Sequence, residues 1–186
     1  MIWLKDVIKD LKEIETITTE EFQNLSEEEL IWKPAPDKWS IAECLQHIII
    51  ANTIYNKDIN KRLQTAEVKT IEYPIKFSIT GKLFLYAVDP KYKWKVPAPK
   101  IFKPIKDNKV LNGTETVKYF LKLQEEIIET AKKGCAYDHQ HVHTYSPLSK
   151  LLKFNVGEQL YIMMRHTKRH INQALNVKTK LHKTAA

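Results

Sequence analysis

The segment His166-Thr167-Lys168-Arg169-His170 holds the residues of this 186-residue chain best spaced to do chemistry together. Residues four apart on a helix lie one above the other, with Cβ atoms about 6 Å apart. Two imidazoles so placed can converge on one metal ion without bending the backbone. The same geometry underlies the His-Glu-x-x-His zinc motif. Here no glutamate stands between the histidines, so a zinc protease of that class fails. Taken alone, such a pair is more often a pair of surface or core histidines.

A third histidine extends the pattern. His47 lies in Cys44-Leu45-Gln46-His47-Ile48-Ile49-Ile50, on a helix side shared with Cys44, Ile48, Ala51 and Tyr55. Those neighbours are apolar, so His47 is expected to point inward. Two readings stand side by side: a buried neutral histidine making one hydrogen bond, or a metal ligand from a helix facing His166 and His170. Helical bundles build metal sites from inward-pointing side chains of different helices. Three histidines leave a fourth position open to water or substrate, which is the catalytic arrangement.

Other residues carry less. Cys44, one turn before His47, could reach a metal or be a small buried hydrophobe. Glu43 and Gln173 could orient an imidazole through a hydrogen bond; their default is an ordinary helix position. His139, His141 and His143 alternate in a loop before Pro147 and either line the site mouth, hold a second metal or stand in solvent. Met163 and Met164 read as core, and Trp32 and Trp39 as braces at the end of a bundle. No side chain is assigned a catalytic role and none an organic cofactor.

The elements that must position these residues are helices. Leu4, Val7, Ile8, Leu11, Ile14, Thr18 and Phe22 recur at three-to-four spacing over residues 2–24. Ser26 with Glu29 reads as a capping box, and Pro34 and Pro36 enforce an extended stretch through Lys38. Ser40 with Glu43 caps a second long helix to about residue 64, with Ile41, Leu45, Ile48, Asn52, Tyr55, Ile59 and Leu63 along one side. A third starts near Thr114, expected as its cap, and ends at Gly134 behind Lys132 and Lys133. A loop, 135–147, leads to the last helix, opened by Asn155 and Glu158. The expected fold is all-α: an up-and-down four-helix bundle with a long Pro/Lys-rich crossover between its second and third helices. Residues 1–186 form one domain on this reading, with 66–112 a connection or lid and 176–186 a basic tail. Within 66–112, Lys91–Val96 alternates like a short strand and Gly81–Val88 like a short helix.

The formal net charge is +8, and it is unevenly spread. Residues 1–65 carry −4, 66–112 carry +6, 113–149 carry −1 and 150–186 carry +7. Only Arg62, Arg165 and Arg169 of the 30 basic residues are arginines. Direct base readout relies on arginine forks, so no nucleic-acid partner is expected. No apolar run approaches the roughly 20 residues that span a bilayer, so no membrane role is expected either. The first residues lack a signal-peptide core, and two cysteines suit a reducing cytoplasm.

The stretch Trp32-Lys33-Pro34-Ala35-Pro36-Asp37-Lys38-Trp39-Ser40-Ile41-Ala42-Glu43-Cys44-Leu45-Gln46-His47 resembles the first signature of the DinB-like (YfiT-like) metalloenzymes: a Trp-Ser-Ile entry into a helix bearing a histidine seven residues after the serine. Gly157 to Gln173, with His166, Arg169, His170 and Gln173, is similar to their second signature. The resemblance covers most of residues 1–65 and 114–175, whereas 66–112 matches nothing in it. It implies a four-helix bundle in which His47, His166 and His170 hold a divalent metal. It also implies S-transfer from a low-molecular-weight thiol such as bacillithiol, mycothiol or glutathione to an electrophilic substrate. Imidazole ligation leaves the ion open: zinc or nickel first, then iron or manganese. The alternatives are a metal-dependent hydrolase, or a non-catalytic binding module with a basic surface. A homodimer is among the assemblies open to it.

Overall fold

The apolar stripe of the first segment folds as expected into α1 (Ile2–Phe22), which buries Leu4, Val7, Leu11, Ile14 and Phe22. Thr18, also buried, returns its hydroxyl to the Ile14 carbonyl at 2.8 Å, so this polar residue within the stripe is satisfied. The structure, a computed structural model, describes residues 2–69, 74–91, 97–105 and 111–185. After α1 come α2 (Glu27–Ile31), α3 (Ile41–Thr65), α4 (Ile79–Val88), a 3₁₀ turn (Lys100–Phe102), α5 (Gly113–Gly134), β1 (His143–Ser146), β2 (Ser149–Asn155) and α6 (Val156–Ala185). Among the described residues the chain is thus mostly helical, with one two-stranded sheet. The expected strand at Lys91–Val96 falls almost wholly outside the described residues, and the expected short helix is α4.

Capping chemistry sets most helix starts. Ser26 with Glu29 and Ser40 with Glu43 both form reciprocal capping boxes. Asn155 with Glu158 does the same for α6: the Glu158 N–H donates to Asn155 Oδ1 and the Asn155 N–H to Glu158 Oε2, each at 2.8 Å. The start of α5 corrects the expectation. Its cap is Asn112, whose side chain accepts from Glu115 N at 2.9 Å. Thr114 is already inside the first turn and bonds elsewhere, since its N–H and hydroxyl donate to Glu27 Oε2 at 3.0 and 3.1 Å. Gly113 N donates to Glu27 Oε1 at 2.6 Å. A carboxylate from α2 therefore sits on the N-terminus of α5, where the helix dipole favours negative charge. Burial works to raise the Glu27 carboxyl, but these bonds prevail and hold it below the usual carboxylate value. Gly113 is required by packing, because a Cβ there would meet Leu30 Cβ at 2.6 Å.

The four long helices pack in a ring of pairs: α1 and α3 each lie against both α5 and α6. Lys168 reaches Glu13 at 3.2 Å and Lys178 reaches Glu21 at 2.9 Å, so α1 and α6 run the same way. Leu45 and Ile48 cluster with Val117 and Phe120, while Asn60 bonds Thr130 at 2.8 Å; α3 and α5 also run the same way. The end of α3 at Thr65 and the start of α5 at Gly113 therefore lie at opposite ends of this helix pair, so the four long helices do not simply alternate in direction. Two apolar clusters fill the interior, one around Leu11, Ile59, Ile127 and Met163, the other around Phe22, Ile41, Phe120 and Ile171. Lys168 and Lys178 of α6 are answered by α1 through these contacts, whereas Arg165 pairs with Asp89.

Residues 135–147, expected as a loop, are partly strand. β1 and β2 form an antiparallel hairpin pairing His143 with Asn155 and Thr144 with Phe154. Its inner residues Thr144, Ser146 and Phe154 are buried, and Tyr55 Oη lies 3.1 Å from Ser146 Oγ. The 66–112 segment is anchored too: Phe84 packs edge-on to Phe154, Phe77 on Tyr161, and Gln140 donates to the Pro74 carbonyl at 2.8 Å.

Candidate metal centre

His47 enters the interior from the second turn of α3, and His166 and His170 enter from consecutive turns of α6. Because α3 and α6 are packed neighbours, the three rings meet. Ring centroids are 4.6 Å apart for His47–His170, 4.8 Å for His166–His170 and 5.1 Å for His47–His166. One nitrogen from each ring can be chosen so that all three lie within 4.8 Å of one another. His47 and His170 are buried and His166 is partly so. The histidine pair singled out by spacing and the inward-facing His47 thus come together.

One bond orients the cluster. His47 Nδ1 lies 2.7 Å from the Phe102 carbonyl oxygen. A carbonyl only accepts, so Nδ1 carries the proton and Nε2 keeps its lone pair. That Nε2 faces His166 Nε2 at 3.3 Å, and two imidazole nitrogens so placed share either a proton or a cation.

The surroundings keep the rings neutral. Burial is the main cause that pulls the His166 pKa down to about 3, helped by His47 and by the Arg169 guanidinium. Burial also leads for His170, with His166, His47 and Arg169 adding to it, and holds it well below the ordinary value; the Gln173 side chain works the other way. His47 is lowered by burial, with the Phe102 carbonyl opposing. Neutral imidazole is the ligand form.

The donor set fits a divalent cation. Tetrahedral Zn–N bonds of about 2.0–2.1 Å put ligand nitrogens about 3.3 Å apart, which is the His47–His166 separation. Among the described residues, His170 Nδ1 is buried without a hydrogen-bond partner, as a nitrogen free to take a further ligand would be.

The remaining candidates separate. Cys44 is outside the cluster: it is fully buried among Ile41, Leu45 and Ile48, and burial, with Glu43 adding to it, pushes its thiol far up. Glu43 does not orient a ring, since its oxygens take the Ser40 N–H at 2.9 Å and the Lys33 ammonium at 2.7 Å. His139 is buried against Trp3 at 4.7 Å, whereas His141 pairs with Asp138 at 2.8 Å and His143 sits in β1. None of the three joins the cluster. Trp39 does more than brace an end, because its ring lies 5.0 Å from His47 and 5.7 Å from His170. Met163 and Met164 are core as expected.

Three contributors had no signal in the sequence pattern. The Phe102 carbonyl is backbone and comes from the 66–112 segment. Gln46 accepts the Ile105 N–H at 2.6 Å, so adjacent residues of α3 grip the end of the turn that carries Phe102 and the chain just after it. Asp89, at the end of α4, accepts Arg165 Nη2 at 2.6 Å through its carboxylate, and its carbonyl accepts Arg169 Nη1 at 2.9 Å. Asp89, Phe102 and Ile105 of this segment are therefore tied to the two helices that bear the histidines.

A model of the DinB superfamily matches residues 10–174, which include all three histidines. The chain belongs to the DinB superfamily. Its similarity to another protein runs nearly end to end: it is 26% identical over 164 residues to the uncharacterized protein YuaE of Bacillus subtilis (strain 168), covering 88% of this chain and 92% of that one. The DinB match spans the central segment as well, including the turn whose carbonyl holds His47. No helix among the described residues is long and apolar enough to cross a membrane.

Proposed function

We propose that this DinB-superfamily protein is a metal-dependent S-transferase built on a four-helix bundle of α1, α3, α5 and α6, with residues 66–112 as the crossover. His47, His166 and His170 hold a divalent ion, zinc or nickel before iron or manganese. The observation that carries the reading is the convergence of three imidazoles kept neutral by burial, with nitrogens within 4.8 Å. A bound divalent cation supplies Lewis acidity, favouring the thiolate form of a low-molecular-weight thiol that adds to an electrophile.

The chain's own residues do the positioning. His47 is held in one tautomer by the Phe102 carbonyl, and the turn bearing that carbonyl is held by Gln46. Trp39 walls the His47–His170 side with an apolar ring that excludes water. Arg169, fixed on the Asp89 carbonyl, disfavours protonation of His166 and His170 and so keeps their lone pairs available. Cys44 is too buried, and its thiol too weakly acidic, to serve as the nucleophile, which leaves the thiol to an external molecule. Free Cys44 and Cys135 accord with a reducing cytoplasm.

Cobalt-substituted protein titrated with bacillithiol, mycothiol and glutathione tests the transferase reading. One of them is expected to add a sulfur-to-cobalt charge-transfer band. An unchanged spectrum with all three refutes thiol activation and leaves metal-assisted hydrolysis as the surviving chemistry.

A further inference from the structure

A second polar concavity lies away from the histidines. It is an open cavity of about 340 Å³, built where residues 74–78 pass the start of α6 and the hairpin. Its wall includes Glu158, two turns before His166 on α6, hence about 12 Å along the helix axis. The polar groups that hold this wall together are already committed. Glu158 accepts the Asn155 and Ser78 N–H groups, and Asn155 Nδ2 donates to the Lys76 carbonyl at 3.1 Å. What remains to attract an anionic ligand is the pair of lysine ammonium groups.

Lys76 lines the cavity from the 74–78 segment, Lys153 from β2 and His143 from β1. Both lysine side chains are exposed, and neither has an ion-pair partner among the described residues. His143 Nδ1 donates to the His141 carbonyl at 2.8 Å, which fixes the ring in the wall and leaves recognition of an anion to the lysines. Phe77, stacked edge-on against Tyr161 at 5.4 Å, adds an aromatic wall. Glu158 is the lone carboxylate in the lining, and both its oxygens are engaged by backbone N–H groups.

We propose that this cavity binds a phosphate-bearing small molecule, with Lys76 and Lys153 as its charge partners. Ammonium groups from two separate elements can each meet one oxygen of the same phosphate, which is how lysine commonly recognises it. The volume admits a group larger than inorganic phosphate, with the Phe77 ring available to its organic part. This site stands independently of the metal reading, since it shares no residue with the histidine cluster.

The test is calorimetry on full-length protein stripped of metal by chelation, titrated with inorganic phosphate, a phenyl phosphate monoester and succinate. Wild type is compared with Lys76→Gln, Lys153→Gln and His166→Ala. Among the described residues neither lysine side chain has a hydrogen bond or ion pair to lose, and matching thermal melts will verify that both variants are folded. Phenyl phosphate is expected to bind wild type more tightly than inorganic phosphate does. Each lysine variant should weaken binding by about tenfold or more, the usual loss for one hydrogen bond to a charged group, with His166→Ala unchanged. The proposal is overturned by equal binding in wild type and the lysine variants, by loss confined to His166→Ala, by succinate binding as well as the phosphates, or by no binding at all.

Discussion

Protonating the histidine cluster must destabilise the metal-free protein, and the size of the effect follows from the site. His166 has a folded-state pKa of about 3, against 6.5 for an ordinary histidine. A histidine depressed on folding contributes stability that is complete above the unfolded pKa and is lost as pH falls from there towards the folded one. The window is therefore pH 6.5 down to about 3. At pH 5 the unfolded ring is about 30-fold more protonated than not, while the folded ring is still neutral; the difference is about 2 kcal/mol, nearly all absent at pH 7. His47 and His170 shift in the same direction and add to it. With a urea slope of about 2 kcal/mol/M, His166 alone should lower the unfolding midpoint by about 1 M between pH 7 and pH 5. The assay is urea unfolding of chelator-treated protein at both pH values, wild type beside His166→Gln. The variant should lose about 2 kcal/mol less than wild type over that interval. Parallel losses in the two proteins would refute the claim that burial keeps this imidazole neutral.

Three further outcomes follow from the same structure. Glu27→Gln removes the anion from the N-terminus of α5 and should cost about 1–2 kcal/mol at neutral pH; because the Glu27 pKa is lowered on folding, the gap to wild type should close as pH falls through the carboxylate range, read by denaturation at pH 7 and pH 3. Gly113→Ala drives a methyl into Leu30 Cβ and should destabilise by about 1–3 kcal/mol, whereas an unchanged thermal midpoint would contradict the close approach of α2 to α5. Asp89→Asn weakens the grip of Arg165 on the end of α4, so hydrogen exchange should speed up in residues 79–89 and stay unchanged in α5.

Much of this arrangement is legible before folding because it depends on local pattern. Ser40 with Glu43 and Asn155 with Glu158 announce helix starts whose bonding is complete within four residues, and the inward stripe from Ile41 to Leu63 needs only helical periodicity. His166 and His170 share a face by spacing alone. That His47 meets them depends on α3 packing against α6, which the apolar setting of His47 foreshadows. The helix start near Thr114 is legible, but its cap is Asn112, two residues before the Thr114 hydroxyl that looks like one. Its actual partner, Glu27, lies 87 residues away in sequence and leaves no local trace. The hairpin escapes for a similar reason: the strand around Tyr145 is four residues long and lacks an Asn-Gly or Asp-Gly turn. The Phe102 carbonyl could not have been foreseen at all, since every residue has one and only the fold selects which is used.

The central claim is that His47, His166 and His170 bind one metal ion together. Elemental analysis of purified protein reconstituted at neutral pH, wild type beside His166→Ala, tests it most directly. About one equivalent of zinc or nickel per chain in wild type, and its loss in the folded variant, is the predicted result. Wild-type protein that retains no stoichiometric divalent metal, or a variant that retains it in full, would contradict the account.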